Sequence, residues 1–202
     1  MAIYKGNKKV VAVYKGSTPI NKIYKGSTLV FQKSGGGGNT HLFEGTATGN
    51  FNLKINDNQS IPITPDASGK WFYDTDETIT SLASAFLNQT AVTSVDLSNL
   101  YVSGIPTSGM FRGSSNITSI KFSNTKIIKP TNAIYMFYDC SSLVSLDVSS
   151  FDMSNVNNSF NMFKNCTSLS TIKCKQAFKD WCASHTTIGL TNYETINWEI
   201  VD

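Results

Sequence analysis

The chain has 202 residues, a formal net charge of +3 and only 15% charged residues, which is room for one modest domain or two small ones. Few charges and many Ser, Thr and Asn residues favour a β-rich repeat protein over a helical enzyme. No run of eighteen apolar residues occurs, which excludes a membrane-spanning helix. Residues 1–17 lack the apolar core of a secretory signal, so we expect no signal-directed export.

The basic residues are concentrated at the N-terminus. Residues 1–33 contain seven lysines and no acidic residue, whereas the rest of the chain has ten basic and fourteen acidic residues. This asymmetry predicts that the N-terminal segment binds an acidic partner, with a solvated basic arm as the alternative.

A ten-residue repeat occupies residues 1–33. In each copy Ile or Val is followed by Tyr-Lys-Gly, which predicts a short strand and then a turn. About thirty residues bury too little surface to fold alone, so we expect an anchor or assembly segment that needs a partner; an arm without fixed structure is the alternative. The candidate anchoring residues are Tyr4, Lys5, Tyr14, Lys15, Tyr24 and Lys25.

A glycine-rich linker, residues 34–40, separates this segment from the rest of the chain. Residues 41–79 then alternate apolar and polar side chains as strands do, which predicts a small β element that caps the following repeats. At its end Asp76 is placed to cap a helix over 78–87.

A second repeat, of 25 or 26 residues, covers residues 80–175 and is marked by Phe86, Phe111, Phe137 and Phe163. Apolar residues recur six, nine and eleven positions after each Phe. This pattern predicts one helical or turn-like element and one short strand per unit. Stacking about four units at roughly 4.8 Å makes a parallel sheet with a continuous core.

The polar positions between those apolar residues form two rows on the exposed face of the predicted sheet. One row carries hydroxyl groups and the other alternates in charge, so neighbouring strands place opposite charges side by side. Such a face cancels its own field, and we expect no nucleic-acid partner. It is either a stabilising surface or a glycan-contacting one. The rows are Ser94, Ser119, Ser145 and Thr171, and Asp96, Lys121, Asp147 and Lys173.

Residues 176–202 predict a C-terminal cap. An amphipathic helix over 176–184 has Ala177, Phe178 and Trp181 on one side, and a closing strand follows from Tyr193 to Ile200. A solenoid needs such a cap to cover its last apolar face.

No residue pattern predicts catalysis, a metal site or a cofactor. Cys182 and His185 have the spacing of one helix face and of a nucleophile pair, but a histidine at a helix C-terminus is the favoured interpretation. The four cysteines are predicted to be reduced. Cys140 and Cys166 share one position of successive units, where stacked thiols are favoured over a disulfide.

The unit from Met136 to Val156, MFYDCSSLVSLDVSSFDMSNV, resembles the BspA-type leucine-rich repeats and the related repeats of mycoplasma surface proteins. The resemblance covers about residues 80–175, although 110–125 lacks the Cys and the Asp of the pattern. It implies a mainly β fold with short helices, a leucine-rich-repeat solenoid with N- and C-terminal caps, preceded by a short β-repeat anchor segment. The closing residues resemble those of such proteins from gut Bacteroidales and their phages, and the N-terminal repeats look like those of virion proteins of Bacteroides crAss-like phages.

These resemblances imply adhesion rather than catalysis. We expect a non-enzymatic phage virion structural protein of the head- or tail-fibre or decoration type, assembled in the host cytoplasm. Residues 1–33 would anchor it to other virion proteins, and the repeat domain would bind a host-surface glycan or protein. By analogy with phage fibres we expect a homotrimer. The alternative is a bacterial cell-surface leucine-rich-repeat adhesin.

Overall fold

The computed structural model describes residues 14–15, 18–19, 22–25, 28–32, 41–56, 59–75, 78–100, 103–123 and 127–201. This part of the chain is mainly β, with short strands, one α-helix and three short 3-10 helices. None of its helices is long and apolar enough to cross a membrane.

Two antiparallel strand pairs lie within the predicted anchor segment. Strand β1 (Tyr14–Lys15) pairs with β2 (Thr18–Pro19), and β3 (Lys22–Lys25) pairs with β4 (Thr28–Gln32). Both β1 and β3 contain the Tyr-Lys pair of the ten-residue repeat, as the β-forming character of that pair predicts. Tyr4, Lys5 and the linker residues 34–40 lie outside the described residues.

The remaining strands form the body of the protein. In chain order they are β5 (Phe43–Ala47), β6 (Phe51–Ile55), β7 (Gln59–Ile63), β8 (Lys70–Tyr73), β9 (Val92–Leu97), β10 (Ser103–Ile105), β11 (Ser119–Phe122), β12 (Lys129–Pro130), β13 (Ser145–Asp147), β14 (Thr171–Lys175) and β15 (Asn197–Val201). Seven of them make one sheet, in the order β15-β14-β13-β11-β9-β5-β8. The strands from β9 to β15 are parallel, and β5 and β8 are antiparallel at one edge.

The core follows the 25- and 26-residue period. All twelve apolar positions that the repeat predicts in the four units are buried, because alternate side chains of each strand point inward. The four marker phenylalanines stack in one column, Phe86 on Phe111, Phe111 on Phe137 and Phe137 on Phe163, with centroids 5.2, 5.7 and 5.4 Å apart and nearly parallel rings. This column and the sheet enclose a continuous core.

The segments that carry these phenylalanines are consecutive turns, so the helix predicted over 78–87 is wrong. Ser84 and Asn88 have φ angles of 60° and 56°, and left-handed residues interrupt a right-handed helix. The N–H groups of Ser84, Phe86 and Asn88 donate to carbonyl groups of the next unit instead of to their own turn. Asp76, the predicted N-cap, lies outside the described residues.

The same arrangement recurs in every unit and makes a second hydrogen-bonded ladder opposite the sheet. We call residues 81–89, 107–114, 133–140 and 159–166 the turn side, and the outer face of the strands from β9 to β14 the sheet side. In each unit of the turn side two left-handed residues flank the Phe, two positions before and two after it. The intervening N–H groups bond locally, which leaves alternate N–H groups for the neighbouring unit.

Both ends of the stack are covered. At the first unit β5 continues the sheet. On the turn side of that unit lies β6, which pairs with β7, and the Lys54 N–H of β6 donates to the Ala85 carbonyl. At the last unit β15 continues the sheet, and the N–H of Phe163 donates to Ile188 in a 3-10 helix. These contacts place 41–79 at one end and 176–201 at the other.

The C-terminal helix has the predicted bounds but a different buried face. Helix α1 (Gln176–Ser184) buries Phe178 and Cys182, half-buries Trp181 and exposes Ala177. Ala177 was therefore wrongly placed on the buried side. Tyr193 was wrongly placed in the closing strand, because it begins a 3-10 helix and β15 starts at Asn197.

Candidate functional site

The structure places the eight predicted sheet-side residues in two rows. Strand pairing aligns Ser94, Ser119, Ser145 and Thr171 in one row, and Asp96, Lys121, Asp147 and Lys173 in the other. Ser119, Lys121 and Ser145 are exposed, and the other five are partly buried. Sequence reasoning therefore placed these side chains correctly relative to one another, but overestimated the exposure of most of them.

The charges of the sheet side are paired with each other. Lys121 Nζ lies 3.0 Å from Asp96 Oδ2, and Lys173 Nζ lies 3.1 Å from Asp147 Oδ2. Burial raises the pKa of each aspartate, but hydrogen bonds from the Ser two residues later and the lysine partner outweigh it, so both pKa values are below the ordinary value. Paired charges leave little net field for a charged ligand, and whether this face contacts a glycan stays a prediction.

The predicted anchoring residues are only partly described. Tyr14 and Lys15 lie in β1, and Tyr24 and Lys25 lie in β3. The structure describes their backbone pairing. Their role in anchoring stays a prediction.

A cavity of about 640 Å³ opens where the loop after β13 meets α1. Its lining is residues 149–154, together with Ile127, Lys175, Ala177, Phe178 and Trp181. This volume lies within the range of small-molecule sites. Phe151 meets Phe178 edge to face with centroids 6.3 Å apart, so the floor of the cavity belongs to the core and is held rigidly.

The cavity combines apolar walls with polar groups that lack partners. Ser150 Oγ is buried and makes no hydrogen bond to a described residue, although buried hydroxyl groups are normally bonded. Lys175 is exposed at the rim, and no ion pair joins it to the described acidic residues. His185 stacks on Trp181 with centroids 4.3 Å apart, which fixes the indole ring against the wall.

Asp152 gives the cavity an ionised carboxylate whose charge is balanced by a neighbouring lysine. Its carboxylate accepts a hydrogen bond from the Ser154 N–H at 3.0 Å and pairs with Lys129 Nζ at 2.9 Å. The hydrogen bonds from Ser154 and Lys129 lower the pKa of Asp152 to about 2. A carboxylate that stays ionised at all ordinary pH values is an acceptor for ligand hydroxyl groups and is unsuited to general acid catalysis at neutral pH.

The cysteines do not supply a nucleophile. All four are free and buried, and burial raises the pKa of every one of them, to about 12 for Cys166 and about 11 for Cys174. The thiols of Cys140 and Cys166 donate to backbone carbonyl groups of the preceding unit. Such thiols stay protonated and are inert as nucleophiles.

The two histidines have structural contacts. His185 lies just beyond the end of α1, where its Nδ1 is 2.8 Å from the Trp181 carbonyl oxygen. His41 stacks on Phe72, and its Nδ1 is 2.7 Å from Asp74 Oδ2. Across the part of the chain that the structure describes, no group of three or more His, Cys, Asp or Glu residues is placed to hold a metal ion.

Sequence reasoning missed the cavity. It treated Phe178 and Trp181 as the apolar face of a cap and gave the residues around Ser150 no role. The two walls are more than twenty residues apart in the chain, and only the docking of α1 against the third unit brings them together. A signal was present in Ser149-Ser150-Phe151-Asp152-Met153-Ser154, where polar and apolar residues alternate outside any strand.

The geometry defines a class of protein: a mainly β chain built of stacked 25- and 26-residue units with a cap at each end. A family model described as "Mycoplasma protein of unknown function, DUF285" matches residues 73–192, more than half of the chain. The chain therefore belongs to this repeat family, which agrees with the resemblance seen in the unit from Met136 to Val156. No curated protein and no solved structure matches the chain.

Proposed function

We propose that the chain is a non-enzymatic structural protein of a phage virion, in which residues 1–33 anchor to the particle and the repeat body binds the host surface. In this proposal the stacked units are a capped leucine-rich-repeat solenoid, displayed beyond the glycine-rich segment 34–40. The assembled form is a homotrimer joined through the N-terminal segment. The virion and trimer parts rest on the resemblance of the IYKGST repeats and on the basic character of that segment.

The observation that carries the binding role is the cavity beside α1. The cavity is lined by the indole ring of Trp181 and the ionised carboxylate of Asp152. It also contains two groups without a partner in the described part of the chain, the buried Ser150 hydroxyl group and the Lys175 ammonium group. A sugar ring has an apolar face for Trp181 and hydroxyl groups for Ser150, Asp152 and Lys175. A host-surface glycan is therefore the ligand class that the cavity fits best.

Binding of the full chain to a panel of neutral glucose, galactose and mannose oligosaccharides tests this role. We expect Trp181→Ala and Lys175→Met to weaken binding about tenfold, because each removes a ring contact or a charge-assisted hydrogen bond. Lys70→Met is the matched control, since Lys70 is exposed on β8 at the opposite end of the body. Equal affinity of Trp181→Ala and the unchanged chain would remove the cavity from the proposal.

The anchoring role has a separate test. Light scattering compares the mass of the full chain with that of a chain lacking residues 1–40, which keeps the whole described body. A trimer that becomes a monomer on truncation supports assembly through the repeats. If both are monomers, purified particles are offered to the full chain, with a peptide of residues 1–33 as competitor; failure of the peptide to compete would contradict anchoring.

A bacterial cell-surface adhesin is the second candidate; the family that matches the chain is described from a bacterium, Mycoplasma, and its function is unknown. Antibody labelling separates the two candidates. Label on phage particles supports the virion protein, whereas label confined to the cell envelope of uninfected cells supports the adhesin. The cavity beside α1 has the same binding role in either candidate.

A further inference from the structure

A second surface of the repeat body combines aromatic rings with a cation. On the turn side, Arg112, Tyr135, Tyr138 and Phe160 lie together; we call these four residues the aromatic patch. The Arg112 guanidinium lies over both tyrosine rings, 4.9 Å from the centroid of Tyr135 and 5.4 Å from that of Tyr138. Tyr135 also meets Tyr138 and Phe160 edge to face, and Phe160 is 45% exposed.

Tyr135 occupies a position that does not suit an aromatic residue. Its φ angle is 55°, and the equivalent positions of the other units are Ser84, Gly109 and Asn161, with φ angles of 60°, 58° and 53°. Glycine and asparagine accept the left-handed region readily, and a bulky side chain there is an outlier. The other units show that the fold does not need tyrosine at this position. Residues with unfavourable backbone angles concentrate at functional sites.

The charge of the aromatic patch is not neutralised. The Arg112 guanidinium has no carboxylate or hydrogen-bond partner among the described residues, in contrast to the paired lysines of the sheet side. Lys164, also exposed and without an ion pair in the described part, occupies the same position two units further along. Tyr138 lies between them in the same row, so the backbones of Arg112 and Lys164 are roughly 10 Å apart, twice the spacing of paired backbones.

Gly109 is the neighbour of Tyr135 in the preceding unit. A Cβ atom added there would lie in ordinary van der Waals contact with the Arg112 side chain, at 3.7 Å, so Arg112 packs close to the backbone of its own turn. Arg112 and Lys164 are both exposed, and each can take one anionic group of a ligand chain that lies along the units.

We propose that the aromatic patch and Lys164 form a binding site for an acidic glycan, a sugar chain with repeated carboxylate or sulfate groups. The sugar rings pack on Tyr135, Tyr138 and Phe160 through their apolar faces, and the anionic groups pair with Arg112 and Lys164. This site is separate from the cavity beside α1 and does not depend on the virion assignment.

The test measures binding of the full chain to oligogalacturonate, to heparin oligosaccharides, to neutral dextran and to a poly-glutamate peptide, at low ionic strength. We expect at least one of the two acidic glycans to bind. Binding of oligogalacturonate shows that carboxylate groups suffice, whereas binding of heparin alone shows that sulfate groups are required. Arg112→Gln is expected to weaken that binding about tenfold. Lys121→Gln, which removes the same charge from the sheet side, is expected to change it less than about twofold.

Tyr135→Asn separates recognition from folding. Asn161 already occupies the equivalent position of the next unit at the same backbone angle, so this variant is expected to fold with an unchanged melting temperature and to bind several-fold more weakly. Three results would each overturn the proposal: no binding of either acidic glycan, equal losses in Arg112→Gln and Lys121→Gln, or poly-glutamate bound as tightly as the glycan. Trp181→Ala serves as a further arm, since loss of acidic-glycan binding in that variant would assign the ligand to the cavity instead.

Discussion

The sheet side and the turn side of the repeat body are built by the same period and carry opposite kinds of surface. On the sheet side Asp96, Lys121, Asp147 and Lys173 alternate in sign, and each lysine pairs with the aspartate of the preceding strand. On the turn side the corresponding row contains Arg112 and Lys164, which stand without described acidic partners, and aromatic rings surround Arg112. In a stacked protein, a row whose charges pair with one another stabilises the stack. The row that departs from this pattern is the one at which we propose that a ligand binds.

The two sides also differ in how they hold the units together. The sheet side uses a regular parallel ladder, which any β-forming residue supports. The turn side needs two left-handed residues in every unit so that alternate N–H groups reach the next one. The turn side therefore accepts fewer residue types. Substitutions there are expected to lower the free energy of unfolding more than substitutions on the sheet side do.

The largest effect is expected from the phenylalanine column of the turn side. Phe137 is fully buried and stacks on Phe111 and Phe163. Phe137→Ala is expected to lower the free energy of unfolding by about 3–5 kcal/mol, measured by urea denaturation. Val144→Ala, on a side chain that is 50% exposed, is the control and should change it by less than about 0.5 kcal/mol. A loss below about 1 kcal/mol in Phe137→Ala would mean that the column is loosely packed.

The next-largest effect is expected at the turn-side residues that have a left-handed backbone. Gly113 has a φ angle of 73°, and a Cβ atom there would lie 2.0 Å from Asn88 Oδ1. Gly113→Ala is expected to cost about 1–2 kcal/mol through backbone strain and the displaced Asn88 side chain. Gly49→Ala, where an added Cβ meets nothing within 4 Å, should be neutral. Equal melting temperatures for the two variants would contradict the demand for left-handed residues on the turn side.

Much of the sheet side was predictable from the sequence, and much of the turn side was not. The apolar spacing after each Phe identified every buried position of β9, β11, β13 and β14, and the polar rows followed from strand alternation. That reasoning is local to one unit and its neighbour. The turns over 81–89 were mistaken for a helix, because an apolar pattern alone does not reveal residues such as Ser84 that adopt a left-handed backbone.

The candidate sites were harder to predict for a further reason. The aromatic patch joins Arg112, Tyr138 and Phe160 from three successive units, and the cavity joins a loop to a helix that docks later in the chain. Neither set has a spacing that marks one face of a helix or strand. Only the stacking of whole units brings these side chains together.

A smaller effect is expected from a conservative change at the buried thiols of the turn side. Ser114, Cys140 and Cys166 share one position of successive units, and each donates to a backbone carbonyl of the preceding unit. Cys140→Ser reproduces the arrangement already present at Ser114 and is expected to cost about 1 kcal/mol or less. Cys140→Val adds volume and removes the donor in a fully buried place, so it should cost about 1–3 kcal/mol. Urea denaturation of both variants checks the difference, and equal costs would show that the hydrogen bond contributes nothing.

The smallest effect on the free energy of unfolding is expected from the ion pairs of the sheet side. Lys121→Gln and Lys173→Gln should each lower the free energy of unfolding by about 0.5 kcal/mol or less, since both pairs are partly exposed. Lys164→Gln, which breaks no described ion pair, is the control. High salt should remove the difference between the variants and the unchanged chain.

The pKa values of Asp96, Asp147 and Asp152 are below the ordinary value in the folded protein, and that of Asp152 is about 2. Because the folded pKa lies below the unfolded one, about 3.9, these carboxylates stabilise the fold fully above pH ~5 and lose that contribution as the pH falls toward about 2. We therefore expect the free energy of unfolding to fall between pH 5 and pH 2, and to fall less in Lys121→Gln and Lys173→Gln. A melting temperature that stays constant over this range, or an equal decline in all variants, would mean that the sheet-side pairs are no more than surface contacts. The structural role would then belong to the turn side alone.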